Sequence, residues 1–302
     1  MEIREMSGRI GFPMRLLVRV LLPFAVVILA LAGCHGGKVE LVDSPRRFPG
    51  VALQDVTFYS TALQQNAKYR VYLPENASGA EKLPVVYVLH GGGGDFTDWS
   101  NNSDVGKYAA RGLIVVMPEG AFSYWVNAQL APADRYGDFV VKDLPADVEK
   151  RFPASGERNH RAMVGSSMGG FGAVVYALKR PDLFAFAGAL SPAIEVTSRG
   201  FSWARFGQSE RFRKIFGPKG SDARRASDPF VLVKTADPAK TPYLYIGSGE
   251  NEPLREPIER FVERLKHRRF AYEYHTKPGG HGWDEWNTQM PECFESLLSK
   301  IR

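Results

Sequence analysis

From about residue 51 onward, short apolar runs alternate with longer stretches that carry apolar residues at helical spacing. Leu83–Leu89 (LPVVYVL) and Leu113–Met117 (LIVVM) are continuous apolar runs bounded by Gly and Pro, which suits strands buried on both faces of a parallel sheet. Residues 51–60 and 68–73 read as antiparallel strands at a sheet edge. Further strands are predicted at Arg161–Val164, Phe184–Leu190, Pro242–Gly247 and 270–275. Helices are predicted over Met168–Lys179, near 254–268 and near 284–301, and residues 138–152 have helical spacing with Pro145 setting a start or a kink. Interleaved strands and helices imply an α/β fold: a doubly wound, mostly parallel sheet with helices on both faces. Ligands in that architecture sit beyond the carboxyl ends of the strands. Residues 195–238 break the rhythm, with Arg199, Arg205, Arg211, Arg213, Lys214, Arg224 and Arg225 and few acids. They are expected to form an insertion over one face, either a partial lid or a solvated helical excursion.

The chain ahead of this domain reads as an address. Residues 1–19 carry Arg4, Arg9, Arg15 and Arg19, and residues 20–33 (VLLPFAVVILALAG) hold no charge. A basic stretch followed by so short an apolar run is a secretory signal rather than a membrane span. The run ends Leu31-Ala32-Gly33-Cys34, which resembles the lipobox of bacterial lipoproteins. That resemblance implies cleavage of residues 1–33 before Cys34, a diacylglyceryl group on Cys34, and anchoring to a membrane by two or three acyl chains. The alternatives are an uncleaved anchor and a plain signal peptide with a chance cysteine. His35, not Asp, follows Cys34; by the lipoprotein sorting rule this favours the outer membrane if the organism is Gram-negative. Translation starting at Met14 would shorten the long basic segment. Residues 34–50 lack periodicity and are expected to tether the lipid to a domain spanning 51–302.

Composition narrows the rest. Charged residues make up 24% and the formal charge is +6, but the charge is dispersed with no Lys/Arg block, so a nucleic-acid partner is not expected. Losing residues 1–33 removes four Arg and two Glu and leaves +4. The two cysteines, Cys34 and Cys293, form no CxxC pair or Cys/His cluster, which argues against a structural zinc site. Cys293 is then a lone thiol in the last helix.

Candidate chemistry lies where strands end. Gly165-Ser166-Ser167-Met168-Gly169-Gly170 contains Gly-x-Ser-x-Gly in one register, centred on Ser167. A strand candidate precedes it and a helix candidate follows. A strand that turns sharply into a helix pushes one side chain up in a strained conformation, and the flanking glycines let neighbouring backbone pass. His90-Gly91-Gly92-Gly93-Gly94 follows another buried strand and leaves backbone N–H groups unobstructed. Acyl transfer needs such donors where negative charge develops on a carbonyl oxygen. The N–H groups of Met168 and Gly92 are the predicted pair, with Gly91 or Gly93 as substitutes. His90 reads as a structural hydrogen-bonder. Beyond Ser167 stand His267 in a charged helical run, His275 at a strand end and His281 in a Gly-rich loop after the last strand. A loop there brings an imidazole to Ser167, so His281 is the predicted base. The acid should follow PYLYIG, where the loop offers Glu252, with Glu250 in reserve.

These stretches together resemble the family known as the "putative esterases", α/β-hydrolases that include S-formylglutathione hydrolases, feruloyl and acetyl-xylan esterases, enterochelin esterases and mycolyltransferases. The resemblance runs from about residue 55 to 300 through KYRVYLP, HGGGGD, GSSMGGFGAVVYALKRPDLF, IGSGENEPL and GGHGWDEW. The family's nucleophile falls on Ser167, its histidine on His281 and its second oxyanion donor on Gly92. Its acid is usually Asp; this chain has Glu252. The resemblance implies a serine carboxyl-ester hydrolase that needs no metal or organic cofactor and acts on small acyl or carbohydrate-linked esters such as acetyl or feruloyl esters. The alternatives are acyl transfer to a sugar hydroxyl and a catalytically silent surface-binding module. Tyr124, Trp125 and Tyr136, in a segment that resembles where feruloyl and acetyl-xylan esterases contact substrate, are candidate cleft residues equally suited to plain packing; Trp283 is a further candidate substrate contact.

Overall fold

The computed structural model describes residues 43–77, 81–200 and 206–301. Among them, eight strands form one sheet in the order β1-β2-β4-β3-β5-β6-β7-β8. The strands are β1 (Val51–Ser60), β2 (Gln65–Pro74), β3 (Val85–Leu89), β4 (Ile114–Pro118), β5 (Arg161–Ser166), β6 (Phe186–Leu190), β7 (Tyr243–Gly249) and β8 (Tyr272–Lys277). β1 and β2 pair antiparallel at one edge, β2 meets β4 antiparallel, and all remaining pairs are parallel. This is the doubly wound, mostly parallel α/β arrangement anticipated from the alternating pattern, and it matches the α/β-hydrolase fold that the family resemblance implies.

Side chains alternate across the sheet, so each central strand serves two cores. On β3, Val85, Tyr87 and Leu89 face a core shared with Phe139, Phe171 and Phe184, while Val86 and Val88 face Trp99, Tyr108 and Phe294. β3, β4 and β6 are buried along their whole length. The covering helices show matching patterns. α1 (Met168–Lys179) is buried almost throughout, and α2 (Arg255–His267) buries Ile258, Phe261, Val262 and Leu265 in a stripe with charges opposite. α3 (Trp283–Lys300) covers the other face and buries Cys293, whose thiol burial pushes well above its ordinary pKa.

The helical run over 136–151 is less regular than its spacing suggests. A turn at Tyr136–Asp138 and a π-helical turn at Phe139–Asp143 precede the helix Leu144–Arg151, which carries Pro145 in its first turn. Proline has no N–H to donate, and the change of hydrogen-bond register ahead of it accommodates the loss.

Residues 43–50, expected to belong to the tether, lie instead on the domain. Arg70, in β2, is almost fully buried and binds Asp43 through both terminal nitrogens at 2.6 and 2.8 Å, and Asp55 at 2.6 and 2.8 Å. Tyr72 donates its hydroxyl to the Arg46 carbonyl at 2.6 Å, and Phe48 packs edge-on against the same ring. A buried guanidinium needs acceptors on every face, and Asp43 supplies two of them. The predicted leader, the Cys34 lipidation site and the remainder of the tether lie outside the described residues.

The excursion over 195–238 joins β6 to β7. It contains the helices Phe206–Phe216, Asp222–Arg225 and Pro229–Thr235. It is more than a solvated appendage, because Phe212, Ile215 and Phe216 enter the main core beside Tyr124 and Phe171.

Backbone packs closely where α1 crosses β3 and β5. A Cβ on Gly169 would stand 2.1 Å from the Leu89 carbonyl oxygen, and one on Gly165 2.4 Å from the Gly169 carbonyl carbon. At Gly170 the nearest atom would be 3.1 Å away. Gly169→Ala should therefore cost about 3 kcal/mol, and Gly170→Ala clearly less. Chemical denaturation of the two variants beside the parent checks the ranking; equal losses would contradict it.

Candidate active site

Ser167 sits between β5 and α1 with φ 52° and ψ −109°, a conformation costly for any residue with a Cβ. Neighbouring backbone fixes it. Its N–H donates to the Leu190 carbonyl at 2.9 Å, and its own carbonyl accepts from Phe171 and from Ala193, each at 3.0 Å. The adjacent Ser166 points inward and is fully buried, as the register of the motif requires.

His281 reaches Ser167 from the loop between β8 and α3. Its Nε2 lies 2.9 Å from Ser167 Oγ and its Nδ1 2.9 Å from Glu252 Oε2. Glu252 follows β7 and its side chain is fully buried. Its Oε1 accepts from Ser248 Oγ at 2.7 Å and from the Gly249 N–H at 3.0 Å. Accepting at both oxygens, Glu252 fixes the imidazole with its proton on Nδ1 and leaves Nε2 free to take one from Ser167. Glu250, the reserve acid, is exposed on the same turn, where its N–H meets the Lys277 carbonyl. His275 stacks on Tyr245 and bonds Glu273, and His267 is exposed on α2; neither approaches as His281 does.

Beside Ser167, a Cβ on Gly91 would stand 3.6 Å from Ser167 Cβ, and Gly92 is exposed immediately after it. Met168 is the first residue of α1, so its N–H has no partner within the helix. His90 shapes the glycine run from below. Its Nε2 accepts from the Gly120 N–H at 3.0 Å, so its Nδ1 carries the proton and donates to the Gly91 carbonyl at 2.8 Å. Burial lowers its pKa and keeps it neutral.

The expected aromatic contacts need correcting. Trp125 is fully buried, wedged over Gly120 and Gly172 with its Nε1 donating to the His90 carbonyl, so it presents no surface to a substrate. Tyr124 is buried against Phe122, Phe171, Phe212 and Phe216. Both have positive φ, 53° at Tyr124 and 59° at Trp125. Phe122 is the aromatic residue that lies against the glycine run instead: its ring would stand 3.1 Å from a Cβ on Gly92. Phe122 and Tyr136 line a cavity of about 530 Å³. Trp283 lines a second hollow with His281 and packs edge-on against Trp99 and Trp286.

Glu285 was also missed. It looks like an ordinary first-turn acid of α3, yet it is 1% exposed. Ser191, at φ 47° just past β6, donates to its Oε2 at 3.1 Å, and its Oε1 has no partner among the described residues. Burial, reinforced by the nearby Glu252 charge, pushes its pKa up to about 8.

A strand-to-helix serine, a loop histidine and a buried carboxyl in hydrogen-bonded series, on a sheet of this topology, define an α/β-hydrolase. The chain belongs to the family described as "Putative esterase", whose pattern matches residues 60–297. It is similar to an acetyl esterase of Caldicellulosiruptor saccharolyticus, 26% identical over 83% of this chain and 99% of that one. It is also similar to the diacylglycerol acyltransferase/mycolyltransferase Ag85A of Mycobacterium ulcerans, 25% identical over 88% of this chain and 86% of that one. A solved ferulic acid esterase superposes with a TM-score of 0.72 at 21% identity, over 83% of this chain and 99% of the other. The protein is a carboxylic ester hydrolase.

The unfolded Glu285 carboxyl ionises near 4.5 and the folded one near 8. Between these values the folded state holds a proton that the unfolded state releases, so this contribution to stability is present in full below about pH 4.5 and is lost as pH rises through about 8. Glu285→Gln cannot ionise. Its melting temperature relative to the parent should climb from about pH 5 to about pH 8 and then level off. A difference that stays constant across that range would count against a buried neutral acid.

Proposed function

We propose that the protein hydrolyses carboxyl esters through an acyl-enzyme formed on Ser167. The observation that carries this reading is the unbroken series Glu252–His281–Ser167, with 2.9 Å at each link to the imidazole. Ser167 Oγ attacks the ester carbonyl carbon while His281 Nε2 takes its proton. Negative charge builds on the carbonyl oxygen, which the N–H groups of Gly92 and Met168 receive at the positive end of α1. Glu252 holds the ring and stabilises the imidazolium. The C–O bond breaks, the alcohol leaves with the proton from His281, and water repeats the sequence to release the acid and restore Ser167.

The substrates are small acyl or carbohydrate-linked esters, acetyl and feruloyl among them. The names of the related acetyl esterase and ferulic acid esterase support this class, as does the aromatic wall that Phe122 raises beside Gly92. The likeness to a mycolyltransferase favours a second reading, in which a sugar hydroxyl replaces water at the acyl-enzyme. A binding module would have no need of the aligned series. The Leu31–Cys34 motif supports export with a lipid on Cys34, and thus a place in the cell envelope.

Full-length protein in detergent should hydrolyse p-nitrophenyl acetate and methyl ferulate. Ser167→Ala should abolish both activities, and Glu252→Gln should lower kcat by about 10³–10⁴-fold with little change in KM. Retention of parental rates by Ser167→Ala would end the reading. Added sugar alcohol that diverts product from free acid to new ester would favour the transferase alternative.

A further inference from the structure

The cavity of about 530 Å³ beside the site has an electrostatic character of its own. Its walls are the loop carrying Phe122 and the helix Phe206–Phe216, and Phe122 belongs both to the cavity and to the surroundings of Gly92. Asp134, Glu210, Arg211 and Lys214 bring charge to it. Lys214 Nζ stands 2.8 Å from Asp134, and Glu210 pairs with Arg213 at 3.4 Å. Arg211 has no carboxylate within salt-bridge distance among the described residues. Its guanidinium lies over the Phe122 ring, 4.7 Å from the centroid. On the same excursion Arg199 lies over Phe212 at 5.6 Å, again with no carboxylate among the described residues.

We infer that this cavity receives the part of the ester remote from the scissile bond, and that Arg211 binds a carboxylate there, so the preferred substrates are esters that carry a negative charge. The inference rests on the esterase reading above and specifies its substrate. An arginine stacked on a ring keeps its planar fork of donors at the edge, where a carboxylate accepts two parallel hydrogen bonds. Phe122 holds that fork in place before the ligand arrives, which reduces the ordering cost of binding. The same ring approaches Gly92, so it sets the spacing between the anionic group and the reacting carbonyl. Arg199 adds a second positive charge to the excursion and raises the local concentration of anions.

Two matched pairs of esters test this on the full-length protein. In 4-acetoxybenzoate and 4-acetoxybenzamide the charge is on the leaving group. In monomethyl terephthalate and methyl 4-carbamoylbenzoate it is on the acyl group. The parent should favour the charged member of one pair. Arg211→Met should lower the charged-to-neutral ratio of kcat/KM by about tenfold, mainly through KM, and Arg211→Lys should restore part of it. In the parent the ratio should also fall as salt rises, a readout that needs no variant. The inference is overturned if both ratios are the same in the parent and Arg211→Met, and insensitive to salt, while turnover of the neutral esters still depends on Ser167. If no ester is turned over in a Ser167-dependent manner, the esterase reading fails and the inference falls with it.

Discussion

The left-handed backbone at Ser167 is the constraint around which the rest of the molecule is arranged. A side chain there is strained by an amount on the order of 1–3 kcal/mol, and such strain persists only where the surroundings over-determine it. Here β6 holds the Ser167 N–H through Leu190, and the turn after β6 and the first turn of α1 both bond its carbonyl. Gly165 and Gly169 allow α1 to approach β5 and β3 so closely that no Cβ fits. One consequence is a hydroxyl raised above the sheet. The other is a helix whose first N–H groups open beside it. The proposed nucleophile and the proposed anion site thus come from a single distortion.

Much of this was legible in the sequence because it is local. The strand-turn-helix around Ser167 is encoded within about twenty consecutive residues, as are the buried apolar runs of β3 and β4. His281 and Glu252 were legible for a different reason: parallel topology places the loops after β7 and β8 at the same end of the sheet as the elbow. What escaped depends on contacts between distant segments. Glu285 reads as a helix-start acid, and only its packing against Ser191, far off in sequence, shows that it is buried. Trp125 and Tyr124 misled because both are buried at positive φ, and neither residue is a glycine that would announce it. Residues 43–50 carry no periodicity, yet Arg70, buried in β2, requires the acceptors that Asp43 brings.

The excursion between β6 and β7 is an ornament that has been built into the core. Its charge pattern is that of a solvated helix, but Phe212, Ile215 and Phe216 root it in the core below Tyr124. Being rooted there, it contributes a wall to the cavity that begins at Phe122. Variation in this segment can change the cavity's charge and width without touching Ser167, His281 or Glu252.

The Arg70 clamp has a mechanical meaning. Asp43 grips Arg70 through two charge-assisted bonds, and Arg70 grips Asp55 across the β1–β2 pair at one edge of the sheet. These bonds tie Asp43 and both edge strands into one unit. The order of strands puts β4 and β3 between that edge and β5, which leads into Ser167, and places the loops of Glu252 and His281 further still. The clamp thus sits at one margin of the sheet, and two strands separate strain at that margin from the strand that ends beside Ser167.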